Sequence, residues 1–220
     1  MIAVKGNGNI VTREIQVSSF IRLHLGVHAS VELIQSNEEK VVIEADENLL
    51  EYFEAVNSGR TLYVTSDAKW WNPLHARGGT VKVYFRQFDK LRNCCHGDVY
   101  SSTPIQLTTP LEVKIQSHGN TDLELDVPSL NVLMQCHGDV TLKGSCGQFE
   151  IKDQAHGNLH CRQLIAAQVN INNMSHGDIE LYAEETISIK HMGHGDIHYY
   201  GKGILKDIRQ YGNGEVKHMG

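Results

Sequence analysis

Histidine dominates the chemistry available to this chain. Six of its 13 histidines are followed by glycine and then by aspartate or asparagine, at spacings of 22, 19, 19, 20 and 18 residues. Neutral imidazole is a common ligand of zinc, copper and nickel. Equivalent residues on neighbouring coils of a repeat lie about 4.8 Å apart. The row therefore predicts a candidate metal site at His96, His118, His137, His156, His176 and His194.

The metal hypothesis competes with a simpler interpretation, in which the histidines form a solvated row fixed by corner geometry. Structural zinc takes three or four convergent ligands, and a flat row does not converge. The aspartates of the same corners are a poor calcium site, because calcium-binding β-rolls repeat their acidic corner about every nine residues. Apart from Zn, Ni or Cu on this row, the sequence indicates no cofactor.

The residues around each histidine predict strands. From His118 onward an apolar residue stands five positions before the histidine, as Ile151 does before His156. Another apolar residue stands three positions after each histidine, as Leu159 does, except after His118, where Thr121 takes this place. Apolar residues at odd distances give the two-residue period of a strand with one buried face. The corner returns once more in degenerate form as Asn213-Gly214-Glu215. We therefore predict an all-β chain containing a right-handed parallel β-helix of about six coils, with a period of 18–22 residues.

The corners themselves have a regular composition. A small residue precedes each histidine and a glycine follows it, which predicts that both neighbours point inward where space is tight. Glycine would also permit a left-handed backbone bend. The histidine and the following Asp or Asn then face outward. Two further outward rows are expected, one of Gln116, Gln135 and Gln154 and one of Arg92, Lys114, Lys152, Lys190 and Arg209.

The chain divides into two regions by regularity. Residues 93–220 carry the regular repeats, whereas residues 1–92 predict an irregular N-terminal β region of distorted coils or a cap. Gly6-Asn7-Gly8-Asn9 echoes the repeat corner. A loop in this region contains Trp70, Trp71 and Arg77, which could stack on a sugar or a peptide. The alternative is that the two tryptophans seal the open end of the core.

Composition excludes several classes of protein. The net charge of −6 argues against a nucleic-acid partner. No apolar run approaches the ~20 residues that a transmembrane helix needs, and no signal peptide is visible. The five cysteines include no CxxC pair, which argues against a disulfide framework, and Cys136 and Cys161 fall on inward positions.

The corner sequences resemble those of a known family. Ser175-His176-Gly177-Asp178-Ile179 and Cys136-His137-Gly138-Asp139-Val140 are similar to the Ser-Gly-Ser-Gly-Asp corner of the head GIN domain, which is described as a putative auto-transporter adhesin. The similarity extends to the N-terminal half, through Gly6-Asn7-Gly8-Asn9, Val17-Ser18-Ser19-Phe20 and the segment 42–50. The resemblance implies a parallel β-helix in the periplasm or at the cell surface, behind a signal sequence that is not part of this sequence. It implies no catalytic mechanism.

Three functions follow from these observations. The first is a non-enzymatic adhesion or recognition module whose flat ladder faces bind a surface glycan or protein, and which could form a homo-oligomer. The second is transition-metal binding on the histidine row. The third is a polysaccharide-active enzyme, but such enzymes need paired carboxylates or a carboxylate–calcium–arginine cluster, and the sequence shows no compact cluster of this kind.

Overall fold

The computed structural model describes residues 5–66 and 79–220, in which the regular structure is almost entirely β. One short 3₁₀ helix, Glu47–Tyr52, interrupts the strands. The strands are β1 (Ile10–Gln16), β2 (Arg22–Gly26), β3 (Ser30–Gln35), β4 (Lys40–Asp46), β5 (Phe53–Ser58), β6 (Thr61–Ser66), β7 (Thr80–Phe85), β8 (Lys90–Asn93), β9 (Val99–Ser101), β10 (Ile105–Gln106), β11 (Leu111–Ile115), β12 (Thr121–Met134), β13 (Val140–Asp153), β14 (Leu159–Asn173), β15 (Ile179–His191), β16 (Ile197–Tyr200), β17 (Ile204–Gln210) and β18 (Val216–His218).

The regular part is a stack of parallel coils in which like residues lie over like residues. β12, β13, β14 and β15 each run from one corner to the next and pair in parallel with the strand of the neighbouring coil. The register aligns one inward residue from each of four successive coils, which are Val132, Ile151, Ile171 and Ile189. Each of these side chains is at most 3% exposed. The prediction of a parallel β-helix with an irregular N-terminal region is confirmed, with about seven turns.

The N-terminal strands join the same stack in a different chain order. β2 pairs in parallel with both β6 and β8, and β3 pairs in parallel with both β7 and β9. The N-terminal region also contains antiparallel pairs, which are β1 with β4, β4 with β7 and β5 with β6. β8 crosses the predicted boundary between residues 92 and 93, and one continuous hydrophobic core runs from Phe20 to Tyr199.

Gly6-Asn7-Gly8-Asn9 echoes the repeat corner in sequence but lies outside the corners of the stack. The Gly8 amide donates to Asp46 Oδ1 at 2.5 Å, and the Asn7 amide donates to Asn48 Oδ1 at 3.0 Å. The segment lies against the junction between β4 and the 3₁₀ helix because β1, which follows it, pairs antiparallel with β4.

The C-terminal end of the stack is open. β17 pairs with β15 along one edge, and no strand of the described residues pairs with its other edge. All seven of its residues are exposed. Leu205 and Ile208 lie beside Ile187 and Ile189 of the preceding coil, yet they are 37% and 44% exposed, whereas Ile187 and Ile189 are buried. The core is therefore uncovered at this end.

Candidate functional site

The six predicted histidines form one exposed row at the corners of successive coils. Neighbouring imidazole centroids are 4.6–5.3 Å apart. From His96 to His176 the ring planes of neighbours are parallel to within 8°. His194 is tilted by 34° and its Nδ1 lies 3.5 Å from Asn213 Nδ2. We call this row, together with His28, the histidine ladder.

His28 extends the ladder by one coil and was not predicted. Its ring stacks on His96 with the centroids 4.1 Å apart and the planes 14° apart. Its corner reads His28-Ala29-Ser30, without the glycine and the acidic residue that mark the other corners. It is also separated from His96 by 68 residues rather than by about 20, because β4 to β7 lie between the two coils in the chain. The spacing of apolar residues around it, Val27 and Val31, was the available signal.

The corner glycines are required by close approach of the backbone. A β-carbon on Gly119, Gly138 or any later corner glycine would clash with the carbonyl oxygen of the corner glycine in the preceding coil. None of these glycines has a positive φ, so the left-handed bend that glycine would permit does not occur at the corners. The small residues before the histidines are buried as predicted, and Ser117 and Ser175 donate to the carbonyl oxygens of Gly119 and Gly177.

The Asp or Asn after each glycine connects one coil to the next. In every coil from Asp98 to Asp196, its side-chain Oδ1 accepts a hydrogen bond from the main-chain amide of the equivalent residue one coil further on, at 2.8–3.0 Å. An amide oxygen and a carboxylate oxygen serve equally well as this acceptor, which explains the mixture of Asp and Asn. The predicted glutamine row is also linked, since Gln116 donates to Gln135 and Gln135 donates to Gln154.

The ladder arrangement does not converge on a point. The rings are parallel and one coil apart, so their nitrogen lone pairs point in the same direction and not toward a common point. A zinc ion bound by two imidazoles must lie about 2.1 Å from a nitrogen of each. Two neighbouring histidines would have to rotate to share an ion. Across residues 5–66 and 79–220, no group of three or more His, Cys, Asp or Glu side chains is placed to hold a metal. Metal binding on the ladder stays a prediction, which calorimetric titration with Zn²⁺ or Ni²⁺ tests.

A groove of about 590 Å³ crosses the outer face of β12, β13, β14, β15 and β17, away from the ladder. Its central positions carry short polar side chains, those of Asn170, Asn172 and Ser188. Charged side chains surround them: Glu150, Lys152, Lys190, Asp207 and Arg209. Asn172 Oδ1 is buried and has no hydrogen-bond partner within the described part of the chain. We call this feature the polar groove.

Sequence reasoning found part of the polar groove without recognising it as a site. Lys152, Lys190 and Arg209 belong to the predicted basic row. Any solvated strand face has such residues. The polar groove differs from an ordinary strand face because the short side chains of Asn170, Asn172 and Ser188 leave a depression between charged neighbours on adjacent strands. The sequence alone does not show which residues are adjacent, since that depends on the register.

A comparison with protein families decides the classification. Residues 19–203 match the family described as "Putative auto-transporter adhesin, head GIN domain". The chain belongs to the head GIN domain family. The resemblance that the corner sequences indicated is thereby confirmed. None of the curated proteins matches the sequence.

Several solved structures have the same fold. This head GIN domain is similar to a putative adhesin from Bacteroides fragilis, with a TM-score of 0.93 and 22% identity over 99% of this chain and 100% of that one. A putative adhesin from Parabacteroides distasonis gives a TM-score of 0.75 at 18% identity, covering 99% and 100%. A putative lipid binding protein from the same organism gives 0.73 at 19% identity, covering 100% of both chains. These likenesses establish the fold.

Family membership supports a role in adhesion or recognition at the outside of the cell. In the described residues no helix of the head GIN domain is both long and apolar enough to cross a membrane. The predicted ligand-binding residues Trp70, Trp71 and Arg77 lie outside the described residues. Replacing both tryptophans by alanine tests them, since loss of ligand binding at an unchanged melting temperature would indicate a binding site.

Proposed function

We propose that this head GIN domain is a non-enzymatic, extracytoplasmic recognition module that binds an extended glycan in the polar groove. The observation that carries the proposal is the groove itself, a polar depression that runs across several coils of a rigid stack. Adhesion by such a surface needs no catalytic group. The family description, which is that of an adhesin, supports the same class of function.

The composition of the polar groove suits a ligand rich in hydroxyl groups. Asn170 and Asn172 each offer both a donor and an acceptor, and Ser188 offers a hydroxyl that can do either. The unpaired Asn172 Oδ1 is an acceptor whose burial is costly unless a donor reaches it. Glycan hydroxyls donate and accept along the whole length of a chain, so they can satisfy these groups coil after coil.

The charged side chains around the polar groove add selectivity. Glu150 and Asp207 are acidic and Lys152, Lys190 and Arg209 are basic, so the rim has both signs. A neutral or zwitterionic glycan meets complementary groups there, whereas a strongly anionic polymer also meets the two carboxylates. The net charge of −6 adds to that repulsion.

The experiment is a binding screen followed by matched variants. The wild-type protein is applied to an array of neutral, zwitterionic and acidic polysaccharides, and the strongest binder is measured by calorimetry. We expect the double variant Asn170→Ala/Asn172→Ala to bind this glycan about tenfold more weakly, because two groove hydrogen bonds are lost.

The control is the double variant Gln148→Ala/Gln168→Ala. These glutamines are exposed amides on β13 and β14 outside the polar groove, so the affinity should stay at the wild-type value. Melting temperatures of both double variants verify folding. If the protein bound no polysaccharide, or if the groove variant bound as tightly as the control, the proposal would be wrong.

A further inference from the structure

The open C-terminal end of the stack combines two features that normally require a partner. Its inward residues Leu205 and Ile208 are 37% and 44% exposed, and Ile204 is 71% exposed. The edge of β17 that faces away from β15 carries main-chain groups with no strand beside them in the described residues. An uncovered core bordered by an unpaired strand edge is a template for adding another strand.

The free edge can be assigned residue by residue. The Tyr211 amide donates to His191 O, on the side of β15. Because main-chain groups alternate in direction along a strand, the N–H and C=O groups of Ile208 and Gln210 point to the opposite, free edge. Ile208 can therefore exchange two hydrogen bonds with a strand that pairs antiparallel with β17.

The charge pattern of β17 identifies the partner as a second copy of the chain. An antiparallel pair of identical strands centred on Ile208 places residue 207 opposite residue 209 in both directions. Asp207 and Arg209 form an exposed ion pair within their own strand, with Nε and Oδ2 3.1 Å apart. In the pair of strands each of them also faces the opposite charge of the second copy. Both residues are outward-facing, as their pairing with Ser188 and Lys190 shows, so the opposed side chains lie on the same face.

The neighbouring registers are less favourable. Centring the pair on Asp207 places two carboxylates opposite each other, and centring it on Arg209 places two guanidinium groups opposite each other. A shift by one residue would place outward residues opposite inward ones. Centring on Ile208 instead brings the two Ile208 side chains, each 44% exposed, together over the open cores.

We infer that two copies associate tail to tail through antiparallel pairing of β17 with β17, about a two-fold axis at Ile208. The interface is isologous, so it closes after two subunits and does not continue into a fibre. It covers both open cores and satisfies the free edges of both strands. Asp207 and Arg209 also line the polar groove, so the two grooves become continuous across the axis.

Charge reversal tests the interface and its register together. Sedimentation velocity over a micromolar concentration series should show a dimer for the wild type. Asp207→Arg places arginine opposite arginine, and Arg209→Asp places aspartate opposite aspartate, so each variant alone should dimerise more weakly by about tenfold or more. An equimolar mixture of Asp207→Arg and Arg209→Asp should form a heterodimer with the same dissociation constant as the wild-type dimer. Native mass spectrometry distinguishes this heterodimer from the homodimers by mass.

The double variant Asp207→Arg/Arg209→Asp provides the matched control. It exchanges the two charges, restores opposite charges across the axis and should dimerise like the wild type. A wild-type protein that stays monomeric throughout the series would overturn the inference. The inference would also be overturned if the single variants dimerised as strongly as the wild type. The same holds if the mixture of the two single variants dimerised no more strongly than each variant alone. None of these readouts depends on glycan binding, so failure here leaves the proposed function of the polar groove standing.

Discussion

Stacked imidazoles repel one another once they are protonated, so the histidine ladder connects the surface of this protein to pH. Burial lowers the pKa of His28, and the neighbouring His96 and His118 lower it further. Burial and then His118 lower the pKa of His96. In both cases the folded state resists the proton that the unfolded chain accepts at about pH 6.5.

This difference predicts a loss of stability in mild acid. Because the folded pKa values are lowered, the stability contributed by neutral His28 and His96 is complete above about pH 6.5. It is lost as the pH falls below that value and through the lowered pKa of the folded state. The melting temperature, measured by circular dichroism, should fall as the pH is lowered. His96→Asn should make the fall shallower, whereas His160→Asn, outside the ladder and paired with Glu180, should not. Equal slopes for the wild type and His96→Asn would contradict this explanation.

The corner glycines make a second prediction at the residue scale. Gly157→Ala places a methyl group against the carbonyl oxygen of Gly138, and the backbones of two coils must separate to accept it. We expect a loss of about 1–3 kcal/mol or more in the free energy of unfolding, measured by denaturant titration. Gly26→Ala is the control, because its new β-carbon would lie 3.6 Å from Thr65 Cγ2, an ordinary contact. A Gly157→Ala protein as stable as Gly26→Ala would show that the coils are not packed as tightly as the structure indicates.

At the scale of the strand, an inward polar position three residues before the histidine closes the corner. Asn93, Asp153 and Asn173 occupy it, and all three are completely buried. Each side chain accepts a hydrogen bond from the main-chain amide two residues later, at 2.7–2.9 Å. Asn173 also contacts the buried His191 of the next coil, with Nδ2 3.0 Å from Nδ1. The bond to the main-chain amide needs an acceptor oxygen but not a charge, so an amide oxygen can replace the carboxylate oxygen of Asp153.

Asp153→Asn should therefore stabilise the protein at neutral pH. Burial raises the pKa of Asp153 more than its hydrogen bonds with Ala155 and Ser175 lower it. A raised folded pKa means that the favourable contribution of this carboxyl is present at low pH and is lost as the pH rises. Asparagine keeps the acceptor without the charge, so the melting temperature should rise at neutral pH and approach the wild-type value in acid. Asp153→Ala removes the acceptor of the Ala155 amide and should therefore lower the melting temperature. A drop in melting temperature for Asp153→Asn at neutral pH would contradict the prediction.

The strands and their stacking could be predicted because the repeat exposes both periods, two residues along a strand and about 20 between coils. The position of His28 in the ladder could not be predicted in this way, because β4 to β7 lie in the chain between its coil and that of His96. The two stacked histidines are therefore not about 20 residues apart in the sequence. The reason for the corner glycines also lay beyond the sequence, because a clash between Gly157 and Gly138 depends on coil spacing. The polar groove could not be predicted without the register of all five strands that it crosses.

At the scale of the molecule, the stack has two unlike ends. Around the first coils the chain adds antiparallel strands, so that β1 pairs with β4 and β5 pairs with β6. At the other end β17 and β18 each pair with one preceding strand, and no later strand in the described residues covers them. Each coil of such a stack is stabilised mainly by its neighbours, so a coil with one neighbour has lower local stability than a coil with two.

Hydrogen exchange should reveal this gradient. In dilute solution, peptides from β17 and β18 should exchange first, because β17 is wholly exposed and its Ile208 and Gln210 amides face the free edge. Peptides from β13 and β14, which have a paired strand on both sides, should exchange last. Raising the protein concentration should slow exchange in β17 of the wild type and of Asp207→Arg/Arg209→Asp, but not in Asp207→Arg. Uniform protection from β13 to β18 in dilute solution would mean that the last coil is as stable as the central ones, and the open-end description would then be wrong.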